Sequence, residues 1–147
     1  MIFIIKGFDN KPRSTKEIYR IKNLKNFVVD VSVKELSPIT IYPVKKMVGR
    51  WEVLIESIKN EGIKRPLLIV DVNEEGNRRS KLLAEKHGLD WLKHENHLIR
   101  QTLKLNQDGK NYKYLVIHGS HRSASAIKLG WKTVPAIKLE FAKIGAT

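Results

Sequence analysis

At 147 residues, 41% of them apolar and 29% charged, the chain suits one globular domain with a core of its own. It contains no cysteine, which excludes disulfides, thiolate metal sites and cysteine nucleophiles. The 28 Lys and Arg outnumber the 15 Asp and Glu for a net charge of +13, spread as +6 over residues 1–73 and +7 over 74–147.

A folded surface so evenly basic attracts polyanions, nucleic acid or nucleotide phosphates first among them. The opening Met1–Ile5 run is too short for a signal sequence, and no window reaches the roughly 20 apolar residues of a membrane span. The expectation is a cytoplasmic protein with no membrane contact. The sequence selects no protein partner.

The first third reads as β-rich. Ile2 to Phe8 is a short apolar run closed by the turn residues Asp9, Asn10, Lys11 and Pro12. Ile18, Tyr19 and Ile21 suggest a second strand, and Phe27–Val33 (FVVDVSV) a stronger one, rich in β-branched residues. Leu36, Ser37 and Pro38 break it into a loop that ends at Pro43.

From about Lys46 to Asn60 the pattern turns helical. Met47, Trp51, Leu54, Ile55 and Ile58 recur at steps of three and four, and Gly62 stops the helix. Lys64, Arg65 and Pro66 lead into LLIVDV, a run apolar enough to be buried on both faces. The stretch NEEGNRRS reads as a polar loop, with a short helix over Ser80–His87. Asp90 suits the N-cap of a helix from Trp91 to about Leu105, and Asn106–Gly109 make a turn.

Strand YKYLVIH, helix HRSASAIKL and strand TVPAIKLEF complete the α/β pattern. In the first of these, Tyr114, Val116 and His118 alternate with Leu115 and Ile117. Gly119 permits positive φ, Ser120 is placed to cap the following helix, and Gly130 stands at its end. A helix N-terminus attracts anions, and Arg122 adds a fork for phosphate oxygens, with His121 and Ser123 as further donors. The plain alternative is an ordinary capped strand-to-helix turn.

The ordered pieces Ser57–Ile63, Pro66–Val70, Gly119-Ser120-His121-Arg122, and Leu129-Gly130 through Val134-Pro135 resemble the N-terminal domain of ParB proteins and their sulfiredoxin-like relatives. The likeness covers Val31 to Leu139. It implies a compact α/β (α+β) domain with a small mixed sheet and a strand–GxxR–helix phosphate turn. Residues 1–30 would be a β-rich extension, 31–139 the core and 74–112 a mainly helical insertion, all in one domain over 1–147.

By position, the resemblance implies phosphate or nucleotide contacts at Gly119, Ser120, His121, Arg122 and Ser123, with Lys64 and Arg65 nearby. His121 and Arg122 would be the catalytic candidates. ATP, ADP or CTP would be the nucleotide, with Mg2+ as companion cation. Arg78, Arg79 and Lys81 form a basic cluster suited to nucleic acid, and nucleotide or DNA is the expected partner.

Departures from the family divide its activities. Sulfiredoxin chemistry needs a cysteine where Ser120 stands, and is excluded. The free-serine kinases carry a glutamate in a loop that here reads SPITIYP, with Glu35 only before it. The ParB motif has a glutamate and a second arginine that are missing here. What remains is a nucleotide-phosphate and DNA-binding protein, with hydrolysis of a nucleoside triphosphate or phosphodiester as its expected chemistry. A non-enzymatic DNA-binding adaptor and a small-molecule kinase are the alternatives. The pairs His94/His97 and His118/His121 match no hydrolytic zinc pattern, and no metal ligands are assigned. Asp71, Glu74, Glu75 and Glu61 are the carboxylates best placed by sequence to hold a cation, though spacing selects none.

Overall fold

The structure, a computed structural model, describes residues 2–39, 50–88 and 90–142, with side chains for all of these except 50, 81–85 and 90–96. The strands are β1 (Phe3–Ile5), β2 (Val29–Ser32), β3 (Leu67–Asp71), β4 (Tyr114–His118) and β5 (Thr133–Phe141). The helices are α1 (Thr15–Tyr19), α2 (Arg50–Glu61), α3 (Glu75–His87), α4 (Asp90–Gln107) and α5 (Ser120–Lys128).

The long β5 organises a mixed sheet. Along one edge it runs parallel to β3, from Leu67↔Ala136 to Val70↔Leu139. Along the other it pairs antiparallel first with β2, at Val29↔Ala136, and then with β1, at Ile5↔Leu139. β4 lies antiparallel on the far side of β3. Four successive apolar residues, Leu67 to Val70, are fully buried because helices cover both faces of this sheet. Each such side chain contributes about 1.5–3 kcal/mol relative to exposure.

Alternation along β3 separates two cores. Leu68 and Val70 face Phe3, Ile5, Ile18 of α1, and Leu98 and Ile99 of α4. Leu67 and Ile69 face Val31, Tyr114, Val116 and Ala126 of α5. α2 packs against α5 on this second side. Asn77, fully buried in α3, donates to the Asp71 carbonyl at 2.8 Å and accepts from the Phe141 amide at 3.0 Å. It ties the ends of β3 and β5 together.

Several expectations need correction. Ile18 and Tyr19 lie in a helix, not a strand, because Ser14 and Glu17 form a reciprocal capping box that starts α1. The described part of residues 1–30 holds β1, α1, a 3-10 turn and the first two residues of β2, and Phe3, Ile5 and Ile18 belong to the core rather than to a β-rich extension of it. The strand expected over Phe27–Val33 is trimmed to Val29–Ser32 by 3-10 turns on both sides. NEEGNRRS is not a loop. It opens α3, whose burial of Asn77 and Ser80 against the sheet outweighs the weak helix propensity of Gly76. Residues 74–112 are mainly helical, as expected. The helix start at Lys46, Met47 and the loop to Pro43 lie outside the described residues, as do the side chains of Lys81, Trp91 and His94.

The expected alternation of β4 also fails at its end. Leu68 stands opposite His118 and Ile69 opposite Val116, so Ile117 is an extra residue. Such a bulge re-aims the side chains beyond it. His118 is turned to the side of Leu68, where α1 lies.

Candidate anion-binding site

β4 ends at His118, and Gly119 takes φ +102 before α5 begins at once with Ser120. The glycine is required twice over. That φ disfavours a side chain, and a Cβ there would come within 3.0 Å of Leu67 Cγ and 3.3 Å of an Arg122 guanidinium nitrogen. Gly119, not Ser120, is the N-cap, and no side chain caps the helix. The first-turn amides are thus left to other partners.

Arg122 spans the two layers across the start of β3. Its Nη1 donates to the carbonyl of Arg65, and to that of Pro66 at 3.4 Å. Its Nη2 lies 3.4 Å from Tyr19 Oη and 3.2 Å from His118 Nδ1. Tyr19 Oη donates to the Pro66 carbonyl at 2.7 Å and sits 3.1 Å from His118 Nδ1. The Arg65 guanidinium stacks over the Tyr19 ring at 4.5 Å. Among the described residues every hydrogen-bond partner of Arg122 is a carbonyl, a phenol oxygen or an imidazole nitrogen, so these bonds fix the guanidinium without cancelling its charge.

Beside this cluster opens a cavity of about 420 Å³ lined by Thr15, Lys16, Tyr19, Arg20, Arg65 and His118. Among the described residues its wall carries three full cations and no carboxylate. His118 is held below the usual histidine range, first by partial burial of its ring and then by the charges of Arg122 and Arg65. Tyr19 is pushed above the usual phenol range by burial, against the opposing pull of Arg122 and Arg65.

The remaining candidates are scattered. The His121 ring packs edge-on to Trp51 of α2 at 6.0 Å, with Nε2 buried and unpartnered, outside the Arg122 cluster. Ser123 is buried, and its hydroxyl donates to the Ser120 carbonyl at 2.9 Å. Lys64 pairs with Glu61 at 3.2 Å in solvent. Arg78 is exposed on α3, and Arg79 pairs with Glu75 at 3.1 Å. Glu74 pairs with Lys6 at 2.9 Å, and Asp71 accepts from the Asn73 amide at 2.8 Å. None of those four carboxylates lines the cationic cavity. Among the described residues no three His, Asp or Glu gather as a metal site.

Ser120 and Ser123 border a larger cleft of about 720 Å³, on the side of α5 that carries Ala124 and Ile127. Leu36, Pro38 and Tyr112 make its walls largely apolar. This cleft is larger, but Glu35 offsets its Lys34 and Lys110, whereas Lys16, Arg20 and Arg65 line the smaller cavity with no such offset among the described residues.

Sequence reasoning found Arg65 and Arg122 but missed Lys16, Tyr19, Arg20 and His118. The Ser14–Glu17 capping box was the available signal, since a helix there sets Lys16, Tyr19 and Arg20 on neighbouring turns of one face. Among known proteins, no family model and no curated protein matches this chain.

Proposed function

We propose that this chain is a phosphate-binding α/β domain of the ParB/sulfiredoxin-like kind, holding the phosphates of a nucleotide or of DNA between α1, Arg65 and the β4–α5 turn. One observation carries the reading: Lys16, Arg20 and Arg65 line a single cavity, with Arg122 bonded behind its Tyr19 and His118, and no carboxylate lines it among the described residues. Unit charges 4 Å apart repel by about 1 kcal/mol even in water, and by more near protein. A ligand with several negative oxygens relieves that repulsion. The even +13 of the chain supports a polyanionic partner, and a cytoplasmic setting belongs to the same reading.

The proposal is one of binding. Among the described residues the cavity has no carboxylate to hold Mg2+ or to take a proton from water, and no catalytic step is assigned to it.

Thermal unfolding with ATP, ADP and CTP, each with Mg2+, and with duplex DNA tests it. A true ligand at a hundredfold excess over its Kd stabilises by about 2.7 kcal/mol. The double substitution Lys16→Gln with Arg20→Gln removes two exposed cations and should abolish that gain. Stabilisation by DNA alone, falling steeply with salt, assigns the phosphates to nucleic acid. No stabilisation by any of them removes this reading and the DNA-binding adaptor with it.

A further inference from the structure

The bulge at Ile117 has turned His118 into the wall of the cationic cavity, and its two ring nitrogens meet different surroundings. Nδ1 is engaged: Tyr19 Oη lies 3.1 Å away and Arg122 Nη2 3.2 Å away. The Tyr19 proton is committed to the Pro66 carbonyl, and Arg122 is always a donor. In the free protein Nδ1 therefore accepts from Arg122, which leaves the proton of the neutral ring on Nε2. Nε2 has no protein partner among the described residues.

We propose that His118 is a direct ligand of the anion and takes up a proton from solvent as the anion enters, so that binding at this cavity is proton-linked. The proposal rests on the phosphate-binding reading above and adds to it a ligand and a dependence on acidity.

The surroundings supply the coupling. The charged or titratable groups facing His118 are Tyr19, Lys16 and Arg20 of α1, Arg65 before β3, and Arg122 of α5. All are cationic or neutral near pH 7, so the empty cavity disfavours a second proton on the ring. An anion seated among them reverses the local potential. The added proton goes to Nδ1, where Tyr19 Oη is free to accept it, while Arg122 Nη2 turns from Nδ1 toward Tyr19 or the anion. Nε2–H donates to the anion in both states, and the charged ring donates more strongly. An oxyanion of fixed charge should thus bind more tightly in mildly acidic solution, and its presence should make the ring more basic by the same factor.

Sodium sulfate is the probe, because its own charge stays constant where histidine titrates and any proton taken up belongs to the protein. The His118 ring signals are followed by NMR against pH, with sulfate and with sodium chloride at equal ionic strength. The same titration is run on His118→Asn, whose amide oxygen keeps an acceptor near Arg122. The expected result is an upward move of the His118 midpoint by about one pH unit with sulfate, matched by about a fivefold tighter Kd at pH 5.5 than at pH 7.5. His118→Asn should bind sulfate with little pH dependence. If sulfate binds but the His118 midpoint stays put, or His118→Asn keeps the wild-type pH dependence, the proton linkage is overturned and the anion cavity stands. If sulfate binds at no pH, both fall.

Discussion

Leu68 on β3 stands directly opposite His118 on β4, one residue out of step with the pairing of Ile69 and Val116 just beside it. That slip sets the imidazole next to Tyr19 of α1, in reach of an arginine that belongs to α5 on the other side of the sheet. Three elements far apart in sequence meet there, and the cationic cavity is the space they leave.

Gly119 should tolerate no side chain. Gly119→Ala meets both an unfavourable φ and Leu67 Cγ at 3.0 Å, whereas Gly109→Ala, at φ +95, meets nothing within 4 Å. Backbone strain alone costs about 1–2 kcal/mol, and crowding should bring the loss at Gly119 to about 2–4 kcal/mol. Urea midpoints of the two variants decide the matter. Equal losses would mean that Leu67 and Arg122 yield freely.

Arg122 is a fork as well as a charge. Arg122→Lys keeps the charge but cannot serve the Arg65 and Pro66 carbonyls together with Tyr19 and His118. Both Arg122→Lys and Arg122→Ala should lose about 1–3 kcal/mol, with faster amide exchange at Leu67 and Tyr19 than in the wild type. Full rescue by lysine would show that charge alone is needed.

Acid should weaken the fold through His118 before it reaches the carboxylates. The folded protein holds this ring below its ordinary value of 6.5, so the unfolded chain takes the proton first. The stability this supplies is complete above about pH 6.5 and is lost as pH falls through the lower folded value. Urea midpoints measured from pH 7.5 to pH 5 should decline in the wild type and decline less in His118→Asn. Asp9 acts later: its hydrogen bonds from Arg13 hold it at about 2, so its contribution is complete above its ordinary 3.8 and is lost as pH falls from there through about 2.

Asn77 should be the polar residue in the described core least open to replacement. Asn77→Ala strands the Asp71 carbonyl and the buried Phe141 amide, at about 1–3 kcal/mol for each unmet group. Asn77→Asp still accepts from Phe141 but cannot donate to Asp71. A urea midpoint for either variant within error of the wild type would remove the tie between β3 and β5.

The parts of the fold legible in sequence were those set by local pattern. Leu67–Val70 is apolar throughout, β5 matches TVPAIKLEF, and Gly119 breaks strand from helix. What misled was competition between patterns. Ile18, Tyr19 and Ile21 look β-branched and aromatic, yet Ser14 and Glu17 close a capping box just ahead of them. The short helix it starts is then held in place by Tyr19 reaching the distant Pro66 carbonyl. α3 opens in a stretch of polar residues and a glycine, and only burial of Asn77 and Ser80 makes it helical. The bulge at Ile117 has no glycine or proline to announce it. The site was half legible for the same reason: Arg65 and Arg122 flank recognisable elements, whereas Lys16 and Arg20 reach the cavity on α1, which Tyr19 joins to His118 and Arg122 across about a hundred residues of chain.

Amide chemical shifts during a titration with inorganic pyrophosphate measure most directly where an anion sits. The account predicts saturable shifts confined to Thr15–Arg20, Arg65, Leu67 and His118–Arg122, weakened by Lys16→Gln with Arg20→Gln. Shifts centred instead on Leu36, Tyr112 and Ala124 in the larger cleft, or spread over the whole basic surface without saturation, would contradict it.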